Sequence, residues 1–215
     1  MIAIDIYGKK DNVRKHNHLS RFNPRAPNLF TISDKEIDKQ RRRDIGKAFS
    51  TPHLKSFEAR ILFHIKRFCD EVESFPRQEG TGWCQPLKMS QWGGYLIFDI
   101  LTDFLLSRSY DLIGSAEHRP VTHHMKSHLL RLAVCSYAPL LAVFRIDKLL
   151  FKDATKSTRA FWRWVKTAII ERSQLPSASN DLYSKIQQGR KSDLLGIQSE
   201  MGMFIAAGET ASIDP

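Results

Sequence analysis

The residues best suited to chemistry lie in Phe204-Ile205-Ala206-Ala207-Gly208-Glu209-Thr210-Ala211-Ser212. Three small residues in a row leave a helix surface bare, so a flat ligand can approach the backbone closely. A carboxylate and a hydroxyl follow at once, a pair able to hold and pass a proton. Thr210 can also donate back to the carbonyl of Ala206, one turn earlier, which bends or opens a helix. A tight helix crossing with a polar end uses the same residue types, and the segment alone favours that plainer account.

A second candidate is Arg41-Arg42-Arg43, flanked by Lys35, Lys39 and Lys47. Guanidinium groups grip carboxylates or phosphates through paired hydrogen bonds. The usual outcome for such a run is a solvated basic face. His118, His123, His124 and His128 form a third cluster beside Glu117. His124 and His128, four apart, share a helix face at a spacing that can hold a metal. No HExxH pattern or further ligand accompanies them, so exposed histidines are the simpler account and no metal site is assigned. Cys69, Cys84 and Cys135 are far apart and odd in number, which excludes a zinc ribbon and points to three reduced thiols. The chain holds no GxSxG elbow, no GxxxxGK[ST] phosphate loop, no GxGxxG turn and no N-x-[ST] acceptor.

The elements that must position these groups read as helices. Ser33-Asp34-Lys35-Glu36 has the form of a capping box, opening a helix to about Phe49 with Ile37, Ile45 and Phe49 on its apolar face. Thr51-Pro52 predicts a second start, with threonine as cap. Leu54, Phe57, Ile61, Ile65, Phe68 and Val72 then follow at spacings of three and four, ending before Pro76. Residues 75–89 read as irregular. Ser90 is placed to cap a central helix through Leu106. Residues 117–150 form one or two helices broken at Pro139. A further helix spans 153–172, with Phe161, Trp164, Val165, Ala168 and Ile169 facing inward. A Pro/Ser-rich connection occupies 175–180, and a last helix covers roughly 193–212. No run alternates like a strand, so the class is mainly α.

Composition is that of a globular chain: 215 residues, 42% hydrophobic, 26% charged. The net charge of +10 favours acidic partners. Met1-Ile2-Ala3-Ile4-Asp5 meets a charge too early for a signal-peptide core. The apolar run Tyr95 to Leu106 is too short to span a bilayer and carries Asp99 and Asp103. The expectation is a soluble or at most peripherally bound chain.

The order of these segments resembles the cytochrome P-450 superfamily, in particular fungal haem-thiolate monooxygenases. Ile32 to Arg43, ending in Ala48-Phe49-Ser50, looks like the family's helix C. Pro86 to Ser90, through Phe98-Asp99-Ile100 to Ser107-Arg108-Ser109-Tyr110, resembles the helix E region. Ala206-Ala207-Gly208-Glu209-Thr210 resembles the oxygen-activating motif of helix I. Asp5-Ile6-Tyr7-Gly8 and Asn12-Val13-Arg14-Lys15 resemble the loop before helix C. The resemblance covers nearly the whole chain and implies a partial fold, helices C to I, truncated at both ends with little or no sheet. Its parts would be a loop and short helix at 1–32, helix C at 33–50, helices D and E at 51–110, the F to H region at 111–190 and helix I at 191–215.

By the same resemblance Arg42, seven residues before Phe49, would pair with a haem propionate, while Asp38 stands where the family usually has tryptophan or histidine. Ala206, Ala207 and Gly208 would face the cofactor, with Ala207 in place of the usual glycine. Glu209 and Thr210 would relay protons to iron-bound oxygen. The family's ligand cysteine lies in an FxxGxRxCxG loop whose thiolate donates to the iron. That loop does not occur in these residues, so no axial ligand is assigned and the fragment alone is expected to be inactive. Haem as cofactor, an NADPH-dependent reductase as electron partner and a small apolar substrate follow from the resemblance, in fungal secondary or xenobiotic metabolism. No nucleic acid is expected. A full-length relative would sit at the endoplasmic reticulum membrane through an N-terminal anchor not seen here, and the fragment would be soluble or cytoplasmic. The competing reading is a basic helical module, residues 35–47 binding nucleic acid or an anionic membrane.

Overall fold

The computed structural model describes residues 26–80, 82–175, 181–189 and 194–210. These residues are mainly α-helical. Among them there is no strand, only one isolated antiparallel bridge between Arg77 and Cys84. In chain order the helices are α1 (Lys35–Gly46), α2 (Thr51–Ser56), α3 (Glu58–Glu73), α4 (Met89–Leu106), α5 (Pro120–Tyr137), α6 (Pro139–Val143), α7 (Asp147–Leu150), α8 (Lys152–Ser173), α9 (Leu182–Gly189) and α10 (Leu194–Thr210). Among the described residues no helix is long and apolar enough to cross a membrane.

The core is built around α4, α8 and α10. Phe98 and Leu105 of α4, Phe161 and Val165 of α8, and Ile197, Met201 and Ile205 of α10 are buried together. α5 lies along α8, and α10 packs on α4, α5, α8 and α9. Buried polar groups fix the connections. Asp99 of α4 accepts the amides of Leu112 and Ile113 at 3.0 and 3.2 Å, while Arg119 donates to the carbonyls of the same two residues. Arg60 and His64 of α3 both bond Asp103 of α4. Burial pushes the Asp103 carboxyl up, but the bonds from His64 and Arg60 outweigh it and leave the group below its ordinary pKa. Arg172, at the end of α8, donates to Asp181, whose other oxygen caps α9 through the Ser184 amide.

Several expectations need correction. The cap of α1 is Asp34, which accepts the amides of Glu36 and Ile37, one residue later than Ser33. Thr51 is the first helical residue of α2; the cap position is Ser50, with no side-chain bond. Phe57 divides the expected helix into α2 and α3. α4 begins at Met89, so Ser90 is not its cap. The apolar stripes are also less buried than their spacing implies. Ile37, Phe49, Leu54 and Ile65 are exposed, while Ile45 and Phe57 are buried. The reason is geometric: among the described residues α3 packs mainly on α4, with a lesser contact to α2, so part of its apolar surface faces no neighbour.

One glycine is set by close approach. A Cβ on Gly202 of α10 would lie 2.5 Å from the rigid indole of Trp162 on α8. Alanine is worth about 1 kcal/mol over glycine inside a helix, yet overpacking costs about 1–3 kcal/mol. Gly202→Ala is therefore expected to destabilise by about 1 kcal/mol net, seen as a lower urea midpoint at unchanged slope.

Candidate functional site

The site begins with what α10 offers. Its Leu195, Gln198, Ser199, Gly202, Met203, Ala206 and Ala207 form one wall of a cavity of about 560 Å³. The turn at residues 26–31 supplies Ala26, Asn28, Phe30 and Thr31. α5 adds His128, Leu129 and Leu132, and α8 adds Trp162. None of the described lining residues carries a carboxylate, ammonium or guanidinium group. Such a volume, apolar with a few fixed polar atoms, suits a small organic molecule.

The turn is held in place by a buried carboxylate on α10. Glu200, fully buried, accepts the Leu29 amide at 3.0 Å and the Arg41 guanidinium at 3.2 Å. Arg41 also donates to the Pro27 carbonyl. Asn28 donates to the Ser199 carbonyl at 3.3 Å, and its own oxygen accepts the amides of Phe30 and Thr31. Thus α1, the turn and α10 meet through one ion pair. The Phe49 ring, just beyond α1, stacks obliquely 5.8 Å from Phe204.

Arg41, then, is the arginine that reaches α10. Arg42 is exposed, with Nε 2.8 Å from Asp38, and Arg43 touches Gln40. The basic run expected to offer its guanidinium groups to phosphates spends part of its charge within the molecule. The small-residue patch divides as well. Ala206 and Ala207 open on the cavity, but a Cβ on Gly208 would meet Leu101 of α4 at 2.2 Å. The smallness of Gly208 serves its packing against Leu101, and Gly208 is not among the residues that line the cavity. Glu209 and Thr210 end α10; their side chains lie outside the described residues. So do residues 5–8 and 12–15 of the expected loop before helix C. Cys69 is exposed on α3, Cys84 pairs across the bridge and Cys135 is buried in α5, and none lines the cavity.

Two residues were missed by sequence reasoning. Glu200 is an acid inside an apolar helix, a signal that a buried partner must exist. His128 was grouped with exposed histidines, but it is largely buried, stacked 5.6 Å from Phe161, with Nδ1 3.3 Å from the Thr158 hydroxyl. Burial, with the nearby Arg131 charge, lowers its pKa to about 4. A histidine held neutral in the fold binds its proton more readily when unfolded. Stability from this group is present above about 6.5 and is lost as pH falls toward 4. Burial lowers His124 and His53 in the same direction. Denaturation midpoints are therefore expected to fall between pH 6.5 and 4, and His128→Phe should flatten that slope.

Known proteins place this arrangement in context. The chain is 31% identical over 211 residues to a cytochrome P-450 monooxygenase of Penicillium oxalicum, an alignment covering 97% of this chain and 41% of the relative. It is 30% identical over 190 residues to one of Gibberella zeae, covering 88% and 44%. A third, from Alternaria alternata, is 28% identical over 186 residues, covering 86% and 36%. The chain thus spans about two fifths of the length of these relatives. No family profile matches it.

Proposed function

The chain belongs to the fungal cytochrome P-450 monooxygenases, and we propose on that premise that it forms the substrate-facing helices of a haem-dependent enzyme. The reaction is insertion of one oxygen atom from O2 into an apolar organic substrate, in secondary or xenobiotic metabolism. The observation that carries this reading is the uncharged cavity of about 560 Å³ lying against Ala206 and Ala207, one turn before Glu209 and Thr210. In family terms α1 is helix C, α2 to α4 cover helices D and E, α5 to α9 the F to H region and α10 helix I.

The residues present fit haem on the side this chain supplies. Ala206 and Ala207 put nothing larger than a methyl group between the α10 backbone and a flat ring. The exposed Arg42 guanidinium, held at Nε by Asp38, keeps its terminal nitrogens on the surface, where they would hold a propionate. Haem, when bound, supplies the iron at which dioxygen is activated. Glu209 and Thr210 hold and pass a proton at the threonine hydroxyl. The apolar lining orients substrate and excludes water. The FxxGxRxCxG loop that carries the family's thiolate does not occur in these 215 residues, and on this reading they are inactive by themselves. Electrons come from an NADPH-dependent reductase, an acidic partner that suits the net charge of +10. The natural setting is the endoplasmic reticulum membrane.

The test is turnover of an apolar substrate by the natively encoded protein with haem, reductase, NADPH and heavy-isotope O2. The expected product carries one heavy oxygen atom, and Thr210→Ala should keep haem while losing most product. Oxygen derived from water, or no oxygen gained, contradicts the proposal.

A further inference from the structure

We propose that the cavity selects an uncharged apolar molecule carrying one hydrogen-bond donor, a hydroxyl or N–H group, which it receives on Nε2 of His128. The inference rests on this cavity being the substrate site and deepens that reading.

The argument follows hydrogens. Thr158 donates its hydroxyl hydrogen to the Ala154 carbonyl at 2.8 Å, one turn back on α8. Its oxygen can then only accept at the 3.3 Å contact with His128 Nδ1. The proton of a neutral imidazole therefore sits on Nδ1, and Nε2 carries a lone pair. His128 lines the cavity, and Phe161 and Trp162 hold its ring. The depressed pKa, near 4, keeps the ring neutral at physiological pH.

Gln198 adds a second acceptor. Its amide nitrogen donates to the Trp162 carbonyl at 3.1 Å, which fixes the amide with its oxygen free to accept. Asn28 and Thr31, also in the lining, are bonded to one another. His128 of α5 and Gln198 of α10, both in the cavity lining, thus each carry an acceptor, and none of the described lining residues is a carboxylate able to hold a cation. A ligand with a donor replaces the water lost by Nε2, whereas an ether or hydrocarbon of the same shape leaves that nitrogen unpaired.

The test uses three probes with one apolar body: 4-phenylphenol, 4-aminobiphenyl and 4-methoxybiphenyl. Dissociation constants are measured by calorimetry on the natively encoded protein with haem. The phenol, the amine or both are expected to bind about tenfold tighter than the ether, and the two donors separate hydroxyl from amino recognition. His128→Phe, which keeps an aromatic ring against Phe161, should abolish the difference, because no ring nitrogen is then left to be paired by a donor or left unpaired by the ether. Equal binding of all three by the unsubstituted protein overturns the proposal and leaves the cavity reading intact; binding of none overturns both. A second measurement needs no variant. Nitrogen-15 spectra of labelled histidine should show His128 protonated on Nδ1, with Nε2 shifting on addition of the phenol. Protonation on Nε2 refutes the proposal.

Discussion

Arg172→Met is expected to destabilise the protein by about 3–5 kcal/mol, because it leaves a buried carboxylate without its cation. Arg172 and Asp181 are both essentially inaccessible, with Nε 2.5 Å from the carboxylate. Arg172 also donates to the Ser184 hydroxyl at 2.8 Å, and its guanidinium lies over the Tyr183 ring. Burial alone would raise the Asp181 pKa; bonds from Arg172 and Ser184 overcome that and hold it below the ordinary carboxylate value. A depressed folded pKa means stability present above the unfolded pKa and lost as pH falls through the folded one. With methionine in place burial is left to raise the carboxyl, so acid should weaken the variant less than the parent, because a folded state that takes up the proton as readily as the unfolded one loses nothing by protonation. In urea the midpoint should fall by about 1–3 M for a slope near 2 kcal/mol/M. The paired change Arg172→Met with Asp181→Leu should recover much of the loss, since apolar groups of similar size replace a buried pair at little cost. If the double variant is no better than the single, the loss comes from packing.

Glu200→Ala should cost about 3 kcal/mol and also open the cavity, which ties stability to function. The change strips Arg41 of one anchor and leaves the Leu29 amide without its carboxylate partner. The turn at 26–31 then rests on the Arg41–Pro27 and Asn28–Ser199 contacts and on its own internal bonds. Affinity for apolar ligands should fall about tenfold, one anchor's worth of order. Arg42→Ala provides the contrast. Its exposed pair with Asp38 is worth only about 0.5 kcal/mol, so stability should barely change while haem retention weakens. Equal loss of stability from Glu200→Ala and Arg42→Ala would show that the α10 carboxylate is not the anchor described.

The contrast between Arg41 and Arg42 shows what could be read from the sequence. Helix positions were legible because periodicity, proline and capping act locally. α5 does break before Pro139, and the inward side of α8 carries Phe161, Val165, Ala168 and Ile169 as their spacing requires. Boundaries slipped where two capping residues compete, as Ser33 and Asp34 do. Which of three adjacent arginines turns inward depends on a carboxylate 159 positions away. Burial of the α3 stripe depends on what covers it, which no local pattern encodes. The role of His128 depends on a hydroxyl thirty positions away that is itself committed to the Ala154 carbonyl. The motif at 206–210 was legible as a set of residue types, but its division between cavity and helix packing needed Leu101 in place.

The most direct measurement is the absorption spectrum of the natively encoded protein, loaded with haem, reduced and exposed to carbon monoxide. The red-shifted Soret band of a thiolate-bound haem is the result that supports a porphyrin seated against Ala206 and Ala207. An apolar ligand that enters the cavity should also perturb the resting spectrum. A spectrum of unbound haem, or one insensitive to any ligand that calorimetry shows to bind, would contradict the account.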